Sequence, residues 1–173
     1  MKKLILLVLV AFFGFTNVNA QDDDDHGAIQ EGKWLIEINT GSWTTGSTAF
    51  SLTSVDGNTM WSVGGETGYF VHDNLAIKAG LGFSDFGDDF SAFNYKIGAK
   101  YYIANEFPVG LDYTGTSYKD ADENPSYVGL EGGYAWFITQ KVSIEPKLRY
   151  NFSMNSDFYD DALQFLIGFA IHL

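Results

Sequence analysis

The chain has 173 residues and a formal net charge of −12, with 19 Gly, 15 Phe, 10 Tyr and 4 Trp against 3 Pro and no Cys. The acidity argues against nucleic acid as a partner, because a negative surface repels the phosphate backbone, and the missing cysteine excludes disulfides and thiolate metal sites. Abundant glycine and aromatics point to β structure with close backbone approaches and tight turns.

In chain order, Lys2 and Lys3 form a short positive region, Leu4 to Phe15 an apolar stretch, and Val18-Asn19-Ala20 a small-residue site. This three-part pattern predicts a secretory signal peptide over 1–20, cleaved after Ala20. The apolar stretch is too short for a spanning helix, which needs roughly 20 residues. No cysteine follows it, so anchoring through a lipidated cysteine is excluded. The next segment, 21–31, reads as a polar periplasmic tail containing Asp22-Asp23-Asp24-Asp25-His26. The mature chain of about 150 residues suits one domain, placed at 32–173.

Period-two alternation then begins and predicts eight strands, over 32–42, 60–70, 75–86, 90–102, 106–116, 126–137, 142–152 and 162–173. In the third, Leu75, Ile77, Ala79, Leu81 and Phe83 oppose Ala76, Lys78, Gly80, Gly82 and Ser84. In the seventh, Val142, Ile144, Pro146, Leu148, Tyr150 and Phe152 oppose Ser143, Glu145, Lys147, Arg149 and Asn151. In the last, Leu163, Phe165, Ile167, Phe169, Ile171 and Leu173 oppose Gln164, Leu166, Gly168, Ala170 and His172. Alternating segments of about ten residues are the signature of a membrane-barrel strand. The connections 71–74, 103–105 and 138–141 are short, whereas 43–59, 117–125 and 153–161 are longer; only 87–89 breaks the pattern. Short turns are expected at the periplasmic rim and long loops outside.

The polar face decides which side looks outward. It carries Glu37, Glu66, Asp112, Glu131 and Glu145 with Lys78, Lys96, Lys100, Lys147 and Arg149. Charges enclosed in a narrow lumen must balance, because an unpaired buried ion is very costly, and these do. Glycines share the face, leaving room for long side chains in an interior just wide enough to be filled by them. The expectation is therefore an interior charge network of these ten residues, with the apolar face toward lipid. Trp34, Trp43, Trp61 and Trp136 fall near strand ends, as interfacial aromatics do. Pro146 sits in mid-strand without an N–H, which predicts a bulge or an unpaired carbonyl beside it.

With these features the chain resembles the small outer-membrane barrels of the OmpA/OmpX type over nearly all its mature length. The resemblance implies an all-β fold, an eight-stranded antiparallel up-and-down transmembrane β-barrel in the outer membrane of a two-membraned bacterium. It also implies outer-membrane lipids and the barrel-assembly machinery as partners, the latter through the C-terminal strand. Members usually end on an aromatic residue; here Phe165, Ile167, Phe169, Ile171 and Leu173 keep the alternation, and the terminal Leu173 departs from the usual Phe.

No catalytic residue, cofactor or metal ligand is assigned. His26, His72 and His172 all fall on the periplasmic side, none near an obvious Ser–acid pair. The Asp22–His26 run reads as a solvated tail. The acidic loop groups around Asp85, Asp88 and Asp89, Asp120, Asp122 and Glu123, and Asp157, Asp160 and Asp161 lack the fixed ligand spacing of a calcium loop. The expected role is non-enzymatic, in envelope integrity or surface interaction through the loops, with a salt-bridged, plugged interior and an unnamed loop ligand. Two alternatives stay open: a small porin-like transport barrel, and a soluble lipocalin-like carrier. For the latter, Gly32-Lys33-Trp34 matches a short Gly-x-Trp motif, but its apolar face would have to point inward.

Overall fold

The structure, a computed structural model, describes residues 26–41, 49–55, 58–87 and 89–173. The signal peptide at 1–20, the acidic start of the tail and Trp43 lie outside the described residues. The strands are β1 (Trp34–Asn39), β2 (Ser51–Val55), β3 (Asn58–His72), β4 (Leu75–Asp85), β5 (Ser91–Ile103), β6 (Phe107–Tyr118), β7 (Ser126–Gly133), β8 (Trp136–Thr139), β9 (Val142–Ser153) and β10 (Ala162–His172). Hydrogen bonding runs β1-β10-β9-β7-β6-β5-β4-β3, and β1 pairs back onto β3 to close the ring. Eight antiparallel staves thus form a barrel, and two strands are extra. β2 folds onto the outer half of β3 as a hairpin. β8 continues the line of β7 along β9.

Alternation in sequence becomes alternation in exposure. β1 runs exposed–buried over its whole length, and β4 repeats the pattern from Ala76 to Ser84. The apolar members point away from the axis: Leu81 is 61% exposed, Ile97 59% and Leu111 56%. The polar members point in, with Glu37, Glu145 and Lys147 at 0%. This is the reverse of a water-soluble barrel and removes the carrier's central requirement, an apolar lumen.

Turns of two or three residues close one end. Asn74, Ala104 and Asn105 adopt positive φ there, the backbone geometry that hairpin turns need. At this turn end the barrel holds its one apolar cluster among the described residues: Ile29, Leu35, Phe70, Ala76, Tyr102, Ala135 and Ala170, with Phe137 packed against it. Ile29 belongs to a single 3-10 turn, His26–Ile29, in the stretch the sequence presents as a polar tail. The Asn74 N–H donates to the Ile29 carbonyl (2.8 Å), and Gly32 N–H donates to the Phe70 carbonyl (2.9 Å). One isoleucine among polar residues gives no period, so pattern reading passes over it.

The sixth stave, expected to be continuous over 126–137, is interrupted at Tyr134 and Ala135. Register does not slip, since Gly133 pairs with Lys147 and Trp136 with Ile144. The cause lies opposite. Tyr134 N–H donates to the Pro146 carbonyl at 3.1 Å, but proline has no N–H for the reciprocal bond. Ala135 N–H faces the other neighbour and continues the β6 register, donating to the Glu106 carbonyl at 2.7 Å.

Candidate functional site

The lumen is the most organised chemistry in the molecule. Strand parity fixes its lining: every second residue of β1, β3, β4, β5, β6, β7 and β9 points to the axis. Those positions bring all ten inward charges into one connected chain. Lys96 meets Glu66 at 3.0 Å, and Glu66 meets Lys78 at 2.8 Å. Lys78 also meets Glu37 at 2.7 Å. Glu37 is the hub, taking Lys100 at 3.0 Å and Lys147 at 2.5 Å as well. One branch ends where Lys100 pairs with Glu145. The other continues from Lys147 to Glu131 at 3.3 Å, then to Arg149 at 3.4 Å, and ends on Asp112. Five carboxylates neutralise five cations, and all of these side chains are at most 9% exposed.

Glycines make the room. A Cβ on Gly80 would stand 2.8 Å from Glu66 Cγ, and one on Gly110 would stand 2.8 Å from Glu131 Cγ. Those separations are below any real carbon–carbon contact, so a side chain there would displace the acid.

Neutral polar groups flank the ions. Toward the loops, Thr116 donates to Asn94 Oδ1 (2.6 Å), Arg149 Nε donates to Asn151 Oδ1 (2.7 Å), and Asn151 Nδ2 donates to Gln164 Oε1 (2.9 Å). Toward the turns, the Tyr102 hydroxyl donates to Glu145 Oε1 at 2.8 Å, and the apolar cluster around Ile29 lies beyond it. His172 has a neighbour that sequence spacing did not reveal, 29 residues away. Its Nε2 is 3.2 Å from Ser143 Oγ, which in turn donates to Glu145 Oε1 at 3.0 Å. The order is acid–Ser–His rather than the acid–His–Ser of a nucleophilic triad. Ser143 is fully buried and His172 stacks against Phe70, so no substrate reaches it.

Of the other positions, Trp34 and Trp136 are half-exposed at the turn end; Trp34 packs edge-on against Tyr69, with ring centroids 5.1 Å apart. Trp61 is at the loop end, 5.4 Å from Phe83. Trp43 is not among the described residues. The loop carboxylates hold the loops, within one loop or between two. Asp85 caps Gly87 N–H (2.9 Å), Asp161 caps Ser153 N–H (2.8 Å), and Glu123 accepts from Asn155 Nδ2 (3.1 Å).

No protein-family model matches the chain, and no curated protein matches it at a significant level. Among solved structures it is similar to the N-terminal β-barrel domain of Pseudomonas aeruginosa OprF, with a TM-score of 0.51 and 12% identity over 83% of this chain and 98% of that one. It is also similar to the Yersinia pestis outer membrane protein Ail (TM-score 0.46, 13% identity, 83% and 100% covered). Pseudomonas aeruginosa OprG is comparable (TM-score 0.46, 11% identity, 83% and 98% covered). At such identities the shared property is the fold, and the OprF barrel carries the comparison. With its closed ring of eight antiparallel staves, polar inside and apolar outside, the chain has the fold of the small eight-stranded outer-membrane β-barrels.

Proposed function

We propose that this protein is a non-enzymatic integral outer-membrane barrel whose lumen is plugged, and that it serves envelope integrity or surface interaction through its long loops. On this reading residues 1–20 direct export and are removed, the segment 21–31 starts on the periplasmic side, and the barrel begins at 32. The outward apolar face meets outer-membrane lipid, with Trp34, Trp43, Trp61 and Trp136 at its two margins. The last strand, β10, is the part read by the barrel-assembly machinery.

The observation that carries the plugged reading is the continuous ion network from Lys96 to Asp112, crossing the lumen through Glu37. An ion crossing this lumen would have to break pairs whose partners then stand uncompensated, which costs several kcal/mol per pair. The loop end is where a partner would meet the protein. The 119–125 and 154–161 loops are tied together by Asn155 to Glu123 and by the Tyr159 hydroxyl to the Glu123 carbonyl at 3.0 Å. Phe158 and Met154 stand exposed beside them. Binding on loops held by a rigid scaffold is the usual arrangement.

The experiment is planar-bilayer recording on the purified, refolded protein. The plugged barrel gives no steady unitary conductance; reproducible channel steps would replace this reading with a small transport pore. Fractionation of the native host tests location separately, and recovery in the soluble periplasm would overturn it.

A further inference from the structure

At the loop end, above the ion network, the wall forms an open-mouthed cavity of about 360 Å³. We propose that this cavity binds a small neutral saccharide. It is lined by the β2–β3 hairpin, the outer end of β4, and Thr40, Gly41, Ala49 and Phe50 from the chain between β1 and β2. The inward positions Ser51, Thr53, Ser62 and Ser84 bring four hydroxyls to it, and Met60 and Phe86 bring apolar surface. The cavity is a blind one. Below the Ser62–Ser84 pair comes Gly64 opposite Gly82, and the next inward residue of β3 is Glu66, already engaged by Lys78 and Lys96. The inference rests on the plugged reading only in this respect, that what enters the cavity does not pass through.

The ligand class follows from the donor set. Hydroxyls both donate and accept, so they match a partner whose groups do the same at every carbon. Ser51 Oγ and Ser62 Oγ are 2.7 Å apart and bond each other, and Ser62 Oγ also donates to the Ala49 carbonyl at 3.5 Å, which fixes both serines and leaves their oxygens able to accept from a ligand hydroxyl. A single ionisable side chain, Asp85, is among the lining residues, and its Oδ1 is taken by Gly87 N–H. Among the described residues no cation lines the cavity, so an anion would meet no counter-charge there and would face the Asp85 carboxylate. One carboxylate is too few for a calcium ion, which takes 6–8 oxygens, roughly. The volume lies near the lower end of ligand sites, roughly 300–1,000 Å³, which suits a sugar unit and not an extended chain.

The test uses the full mature protein, refolded in a phosphocholine detergent so that no sugar headgroup competes. Saturation-transfer NMR is recorded with methyl β-glucoside, methyl β-galactoside and methyl α-mannoside. At least one should bind saturably, and the corresponding charged uronate should bind more weakly. Ser62→Val should weaken binding about tenfold, the effect of leaving one ligand hydroxyl unpaired. Ser51→Ala gives the same reading with less disturbance to the wall, and Asp122→Ala should leave binding unchanged. Barrel folding of each variant is checked by the shift in gel mobility on heating. Octyl glucoside is compared with methyl glucoside to separate a lipid-borne sugar from a free one. Tighter binding of the octyl compound assigns the site to membrane glycolipid; equal binding assigns it to free sugar. Absence of saturable binding for all three glycosides, or binding indifferent to both serine changes in folded protein, overturns the proposal. Conductance measurements do not bear on this outcome, so the two readings fail separately.

Discussion

Arg149 on β9 holds Asp112 on β6 across the intervening strand β7, one guanidinium nitrogen to each carboxylate oxygen, with Nη2 to Oδ1 at 2.7 Å. Such a fork-to-fork pair is the strongest geometry available to these groups. Removing one partner inside the lumen leaves the other uncompensated. Arg149→Ala, or Glu131→Ala beside it, should therefore lower unfolding stability in detergent by about 3–5 kcal/mol. Asp122→Ala in the 119–125 loop should cost about 0–1 kcal/mol. Equal effects at the two places would mean that the lumen is hydrated and the charges are screened.

Glu37 and Lys96 sit at opposite extremes of the same network. Glu37 serves Lys78, Lys100 and Lys147, whereas Lys96 touches Glu66 alone, and Glu66 keeps Lys78. Glu37→Gln preserves volume and removes one charge from the centre. It should cost about 5 kcal/mol or more, and Lys96→Met less than about 3 kcal/mol. Urea titrations of the two variants give the ranking, and the reverse order would show that position in the network does not set the energy.

Much of this arrangement was legible in the sequence, for a physical reason. In a strand the side-chain period is two, so a face is settled by counting. Glu145, Lys147 and Arg149 share one face of β9 by parity alone, and the apolar residues on its other face set it inward beside Lys78 of β4 and Lys100 of β5. What counting cannot give is the partner across the lumen, because that depends on stagger between strands. Hence the hub role of Glu37, and the meeting of Ser143 with His172, emerge only in three dimensions. β2 was hidden because Ser-Leu-Thr-Ser-Val shows little polarity contrast within a long connection.

Pro146 gives a third prediction. Its absent N–H, set against Tyr134, is what divides β7 from β8. Pro146→Val should restore that bond, gaining about 0.5–1.5 kcal/mol. It also returns freedom to the unfolded chain, a loss of about 0.4–1 kcal/mol. Net stability should therefore change by less than about 1 kcal/mol, while the new amide at 146 becomes slow to exchange in NMR. Fast exchange there would assign the interruption to Tyr134 and Ala135 themselves.

Ile29 closes the turn end. It is 2% exposed and packs with Phe70 and Tyr102. Ile29→Ala should cost about 2–5 kcal/mol, the usual range for emptying a packed site. Thermal unfolding in detergent measures it. A neutral result would show that the 26–32 segment rests on the barrel without sealing it.

The shortest stave of the closed ring is β1. It meets β10 over five residue pairs and β3 over four, where β5 and β6 share twelve. Judged by backbone bonding alone, it would be the first stave to peel away. Yet its Glu37 is the group on which cations from β4, β5 and β9 converge. Glu37 thus works as a tie rod: a pull on the N-terminal end of the barrel is transmitted through the lumen to three staves that β1 does not pair with, and the thin seam beside β1 is held shut from within.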